Sequence, residues 1–282
     1  MRLAGGPEGE PTIVSIVGAV LLPFIGTRDA ALGLRLTCRE LKQAVTDFPW
    51  EDMRTVIKGS IALWRACFPR AIGANVGQYN DFHVPFGRLT PVVDADFVHF
   101  VGLRALNMAC CRQVTDAAFV HLRGIRKLKM RACNQDAITD AAFEHLKGVK
   151  ELDMGFCNQD TITDAALAHL KGIQVLNMNS FWQVTDAAFA HLKGIQRLTM
   201  RDCDHAGITI TDAAFEHLKG IKELNMERIS EATITSSAFE HLKGIERLYM
   251  WDCTDAAIQA AQNAGLPVTL ENQKPFSHVF IG

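Results

Sequence analysis

The chain has 282 residues, 48% of them hydrophobic, enough to bury one large core or two modest ones, which places it among globular proteins. Its 29 basic and 31 acidic residues leave a formal charge of −2, so no global field marks it for nucleic acid or an anionic membrane. The 8 cysteines are widely spaced with no CxxC pair, which excludes a dense secreted-type disulfide framework and fits a reduced, intracellular setting, cytoplasmic or nuclear.

The first element is the apolar run TIVSIVGAVLLPFIG, Thr12 to Gly26. It is shorter than the roughly 20 residues a bilayer span requires, and it lacks the basic flank and small-residue cleavage site of a signal peptide. Ile13, Val17, Val20, Leu21 and Phe24 instead fall at helical spacing. Arg28 and Asp29 open a second helical pattern, whose apolar side continues through Leu32, Leu36, Leu41 and Val45. Two or three short helices are therefore expected over 13–50. The stretch VLLPFIGTRDAALGLRLTCREL resembles an F-box: an apolar helix ending in leucine, a loop with an acidic residue, then leucines before a cysteine. It departs from that pattern in opening EPTIV without the usual Leu-Pro, and Leu41 stands where an aromatic is common. The resemblance implies binding to the Skp-type adaptor of a cullin–RING ubiquitin ligase through Leu21, Leu22, Phe24, Ile25, Leu32, Leu36 and Leu41. An amphipathic cap sealing whatever follows would satisfy much of the same pattern.

Residues 51–90 read as a linker and N-terminal cap. ALWRACF, Ala62 to Phe68, predicts a short helix, and the Pro- and Gly-bearing PRAIGANVGQYNDFHVPFGRL predicts irregular structure.

From 91 to 253 the chain repeats itself. TDAAFEHLKGV at Thr139 to Val149 returns as TDAAFEHLKGI at Thr211 to Ile221, and the same word, with a looser copy VDADF at Phe97, places Phe97, Phe119, Phe143, Leu167, Phe189, Phe215 and Phe239 at steps of 22, 24, 24, 22, 26 and 24. A typical unit opens with Thr and Asp, as at Thr139 and Asp140, whose oxygens suit free helix amides, and closes its helix on glycine. It then alternates apolar and variable residues, as in IRKLKM at Ile125 to Met130, which is strand periodicity. Periods of this size, with one helix and one strand each, predict an α/β leucine-rich-repeat solenoid with a parallel concave sheet, preceded here by the small helical F-box-like head. DAAIQAAQNAG and the final VTL, Val268 to Leu270, predict a closing helix and strand in a C-terminal cap over 254–282.

Three ladders run through the repeats. Cys111, Cys133, Cys157, Cys203 and Cys253 lie three residues after the strand methionine, with Phe181 and Ile229 at the same place in other copies. Tolerance of Phe and Ile there indicates packing, not metal. This placement, with TD ahead of the helix, resembles the cysteine-containing leucine-rich repeats of F-box proteins and their relatives. The histidines at 99, 121, 145, 169, 191, 217 and 241 read as a copied surface residue near the helix end, and the aspartates at 94, 116, 140, 164, 186 and 212 as helix caps. Of the adjacent Cys110 and Cys111, one is expected to be buried and the other partly exposed.

Leu106 and Met108, with their equivalents up to Leu248 and Met250, are expected in the core, and their strand neighbours outward. The outward set changes chemistry from copy to copy: Lys127, Lys129 and Arg131 are basic, Glu151 and Asp153 acidic, Arg197 and Arg201 basic, Glu223 and Glu227 acidic, and Arg247, Tyr249 and Trp251 close the row. Such bands suit a target protein with its own charge pattern, while the acidic ones oppose a nucleic-acid track. No P-loop, GxSxG, HExxH or paired metal motif is present, so no enzyme, cofactor or metal is expected. The expected partners are a target protein on the concave face and a Skp-type adaptor at the head. The energetic centre is expected near Arg247, Tyr249 and Trp251, an aromatic and arginine combination of the kind that dominates interfaces.

Overall fold

The computed structural model describes residues 39–78, 91–203, 210–228 and 234–270, together with Gly33. Among these, ten strands form a single sheet in which every strand pairs only with its sequence neighbours. They are β1 (Glu51–Val56), β2 (Gly73–Asn75), β3 (Ala105–Asn107), β4 (Lys127–Lys129), β5 (Glu151–Asp153), β6 (Val175–Asn177), β7 (Arg197–Thr199), β8 (Glu223–Asn225), β9 (Arg247–Tyr249) and β10 (Val268–Thr269). All pairings are parallel, and from β3 to β9 the register places leucine beside leucine, from Leu106 through Leu128, Leu152, Leu176, Leu198 and Leu224 to Leu248. The leucine-rich-repeat solenoid expected from the period is therefore the observed fold. Those leucines and the methionines two residues on are buried, alongside the helical-side Phe97, Phe119, Phe143, Leu167, Phe189, Phe215 and Phe239. One contiguous core results.

Four of the TDAA words make one α-helical turn, Asp140–Phe143 for example, then tighten into a 3-10 turn, Glu144–Leu146, while the helix Asp164–Ala168 has no such turn after it. The extended threonine ahead of Asp140–Phe143 is the N-cap: Thr139 Oγ1 accepts from the Ala141 amide at 3.2 Å. Gly148, at φ +87°, reverses the chain toward the next strand, a conformation that penalises any Cβ.

The aspartates are not the caps that local reading suggests. Asp116 Oδ1 accepts the Thr139 amide at 2.8 Å and its Oδ2 accepts the Thr139 hydroxyl at 2.7 Å, one repeat onward. Asp94, Asp140, Asp164, Asp186 and Asp212 bind Thr115, Thr163, Thr185, Thr211 and Thr235 in the same way. Each threonine hydroxyl thus donates to the preceding repeat while accepting from its own helix, so cap and inter-repeat staple form one rail. Ser236 stands where the next aspartate would be, and the unit it faces is the terminal helix Asp255–Asn263, whose Thr254 makes no side-chain cap.

The cysteine ladder ties the strand side of the same joints. The thiols of Cys133, Cys157 and Cys203 donate to the carbonyls of Met108, Met130 and Met178 at 3.2, 3.1 and 3.0 Å. Phe181 fills the corresponding space with a fully buried ring.

The N-terminal end differs from expectation. Within the expected join, Gly73–Asn75 forms β2 because its register with β3 supplies ladder bonds, a long-range cause that local Pro and Gly content hides. The helix Ile61–Cys67, expected from ALWRACF, packs beside the first repeat. Its Arg65 donates to the carbonyls of His99, Val101 and Ala71 at 2.7, 2.7 and 2.9 Å. Val45 of the helix Arg39–Asp47 and Trp50 are buried in the common core, and the Trp50 indole donates to the Val45 carbonyl at 2.8 Å. At the other end, the helix Asp255–Asn263 and β10 stand where the closing elements were expected.

Candidate interaction face

Strand geometry sends Lys127, Lys129 and Arg131, and their counterparts in each repeat, to the face opposite the leucines. Register then pairs many of them. Lys127 lies beside Glu151 in the β4–β5 pairing, and its Nζ sits 3.2 Å from the Glu151 carboxylate. Glu223 pairs with Arg247 of the next strand. Arg201 reaches Glu227 at 2.9 Å, and the Glu227 side chain has no exposed surface. Asn225 Nδ2 donates to Glu227 Oε1 at 3.0 Å, completing a buried charged cluster. Burial raises the Glu227 carboxyl above its ordinary value of 4.5, against the opposing pull of Arg201 and Asn225.

A second row, which sequence reading took as open display, is occupied by the strands themselves. The side-chain oxygens of Asn75, Asn107, Asp153, Asn177 and Asn225 accept the amides of Gly77, Ala109, Gly155, Asn179 and Glu227, two residues on, at 3.0 to 3.1 Å. These are turn-forming bonds, and an Asn or Asp two residues ahead of a turn was the available signal for them. Asn177 and Asn225 are buried with their turns, as are Asn179 and Thr199 beside them.

Tyr249 and Trp251 are half-buried and Arg247 is exposed. Lys129, Arg131 and Arg197 are half-buried. Arg131 lies over the ring of Phe156, its guanidinium carbon 4.4 Å from the centroid. Phe156 was absent from the expected set. Of the head residues, Leu21, Leu22, Phe24, Ile25, Leu32 and Leu36 lie outside the described residues, and Leu41 is half-buried on the helix Arg39–Asp47.

The expected exposure of Cys110 or Cys111 is corrected. Both are buried, because Cys110 sits in the turn after β3 at φ +61° and not on a strand with alternating sides. The seven repeat histidines are half-buried on the helical side. Among the described residues no cluster of three or more His, Cys, Asp or Glu side chains could hold a metal ion, and no helix is long and apolar enough to cross a membrane.

No protein-family model and no curated protein matches the sequence. Solved structures do match in fold. A TLR13 complex with ssRNA13 aligns with a TM-score of 0.53 at 16% identity, over 75% of this chain and 27% of that one. The Toll–Spatzle complex of Drosophila gives a TM-score of 0.53 at 14% identity, over 70% and 25%. Internalin C2 of Listeria monocytogenes gives 0.52 at 18% identity, over 95% and 100%. This chain therefore spans about a quarter of the Toll and TLR13 chains it matches. At these identities the likeness is one of fold, and it agrees with the strand order in giving the chain a leucine-rich-repeat fold.

Proposed function

We propose that the chain is a non-enzymatic recruiting adaptor whose strand face binds a target protein and whose F-box-like head, over 13–50, binds a Skp-type adaptor of a cullin–RING ubiquitin ligase. The observation that carries the protein-binding part is the contrast within each repeat. The Asp and Thr staple and the Leu and Met core recur almost unchanged, while the strand face between Lys127 and Trp251 varies in charge and size with every copy. A scaffold needs the first; recognition by complementary patches needs the second. The ligase part rests on VLLPFIGTRDAALGLRLTCREL and on its position ahead of cysteine-bearing repeats.

Co-purification with a Skp-type adaptor tests the ligase part, comparing the intact chain with one lacking residues 1–38. A cut at residue 50 would remove Val45 and Trp50 from the core and confuse loss of binding with loss of fold. The adaptor reading requires recovery from the intact chain and none from the shortened one. Equal recovery, or none from either, leaves a free-standing interaction module capped by its own helices. On the strand face, Trp251→Ala asks whether that half-buried ring is an anchor or part of the C-terminal cap. An anchor loses about 2 kcal/mol of target affinity at an unchanged melting temperature.

A further inference from the structure

The acids of the strand face are matched more completely than its bases. Glu151 has Lys127, Glu223 has Arg247 and Glu227 has Arg201. Asp153 spends an oxygen on the Gly155 amide. Among the described residues Arg131 and Arg197 have no acidic partner; Arg131 stacks on Phe156, and the buried Nε of Arg197 has no acceptor. The face therefore presents two cations outside any ion pair, with the buried Asn177, Asn179 and Thr199 between them and Asp153 of β5, whose carboxylate is engaged by the Gly155 amide, beside that floor.

Phe156 marks one end of this track. The residue two past the strand methionine has a positive φ in every repeat, at Cys110, Ala132, Phe156, Ser180, Asp202, Arg228 and Asp252. A left-handed backbone disfavours a bulky side chain, and the other copies use none with a ring. Phe156 is nevertheless 41% exposed, so much of the ring is left facing solvent. Its neighbour Gly155 has no side chain where other repeats carry Ala109, Arg131, Asn179, Arg201, Glu227 and Trp251. A Cβ at Gly155 would lie 3.3 Å from Asn177 Oδ1 and 3.4 Å from Asp153 Oδ1. Gly155 is itself buried, so its missing side chain lets Asn177 and Asp153 pack close against the turn, with the stacked pair of Arg131 and the exposed Phe156 beside it. A ring kept exposed at a strained position, under a guanidinium whose N–H fork is unspent, is costly for the fold and useful for a ligand.

We infer that the Arg131–Phe156 pair and Arg197 recognise an extended acidic segment of the target protein, with an apolar side chain against Phe156, one carboxylate on Arg131 and a second on Arg197. This rests on the protein-binding reading above and moves the anchor from Trp251 toward β4 to β7. The two arginines lie three strands and four residues apart, about 20 Å, which an extended chain covers in about six residues.

The test uses the full chain and two fluorescent peptides. One carries tryptophan beside a glutamate and a second glutamate six positions on; the other has glutamines in place of both. Polyuridine RNA is the third probe. The glutamate peptide is expected to bind at least tenfold more tightly than the glutamine peptide. Arg131→Ala and Phe156→Ser should each weaken it about tenfold, with Arg131→Lys intermediate and with Phe156→Ser leaving the melting temperature unchanged or higher. Equal binding of the two peptides, failure of both to bind, or tighter binding of RNA overturns the acidic-segment assignment. So does a drop in melting temperature in Phe156→Ser, which would make the ring a structural plug. Peptide binding lost in Trp251→Ala but kept in Arg131→Ala and Phe156→Ser overturns this placement and leaves the protein-binding reading standing.

Discussion

On the helical side of the repeats the polar residues are nearly identical from copy to copy, and their partners lie in the adjacent repeat. On the strand side they differ from copy to copy, and they find partners in the adjacent strand, in their own turn, or nowhere. Asp140 illustrates the first: it binds Thr163 through amide and hydroxyl at 2.7 and 2.8 Å, and any repeat could be exchanged for another without changing that geometry. Arg131, Arg197 and Arg201 illustrate the second, since Arg201 is neutralised in a buried pair, Arg131 stacks on an exposed ring and Arg197 lies beside a Glu223 that pairs instead with Arg247. The difference teaches that internal repetition separates two tasks. Invariant polar contacts hold neighbouring units in register, and the residues freed from that task are where recognition is to be sought.

The sharpest way to break this division is through the charged pair that sits on the variable side yet is buried. Arg201→Ala leaves the Glu227 carboxylate uncompensated, and equilibrium denaturation should show a loss of about 3 kcal/mol. Glu227→Gln in the same background should recover much of it. Next in size is the rail: Asp140→Ala removes two charge-assisted bonds to Thr163 at a part-buried site, an expected loss of about 2 kcal/mol. A loss confined to a few tenths would mean that the staple is ornamental and that the Leu and Met core alone sets the register.

A smaller effect concerns pH. Because burial raises the folded-state pKa of Glu227 above 4.5, the folded chain holds this proton more tightly than the unfolded chain. Stability at this site therefore rises as the pH falls from above that raised value toward 4.5, and it is lost again as the pH climbs through the folded pKa. Glu227→Gln should remove that slope from a series of denaturation curves. The smallest effect is on thiol reaction rates. Burial pushes Cys133 up to about 12 and Cys157 well above its ordinary value, so both should resist a mild thiol reagent in the native state. Among the described cysteines, the half-buried Cys67 and Cys253 should react first.

The fold was legible because it is written seven times: the Phe spacing, the Leu and Met strand positions and the closing helix were all local patterns. The rail was half legible. Thr and Asp side by side read as a cap, and only the stacking distance between repeats, about 5 Å on the strand side, reveals that the aspartate reaches the next threonine. The pairing of Lys127 with Glu151 and Arg201 with Glu227 depends on register across strands, which banding could suggest but not assign. Phe156 is not legible from composition, because a positive φ leaves no mark there, although a phenylalanine where other copies have Cys, Ala, Ser, Asp and Arg is a signal. The two short strands at Glu51–Val56 and Gly73–Asn75 were hidden for a related reason, since their apolar alternation is weak and the rest of the sheet templates them.

The central claim is that the strand face recognises a partner while the Asp and Thr rail only holds the units together. Hydrogen exchange on the full chain, alone and bound to the target protein that co-purifies with it, tests this most directly. The account predicts new protection over Lys127 to Arg131, Gly155 to Cys157 and Arg197 to Arg201, with the helical turns from Thr139 to Leu146 unchanged. Protection on the helical turns with the strand face unaffected would contradict it.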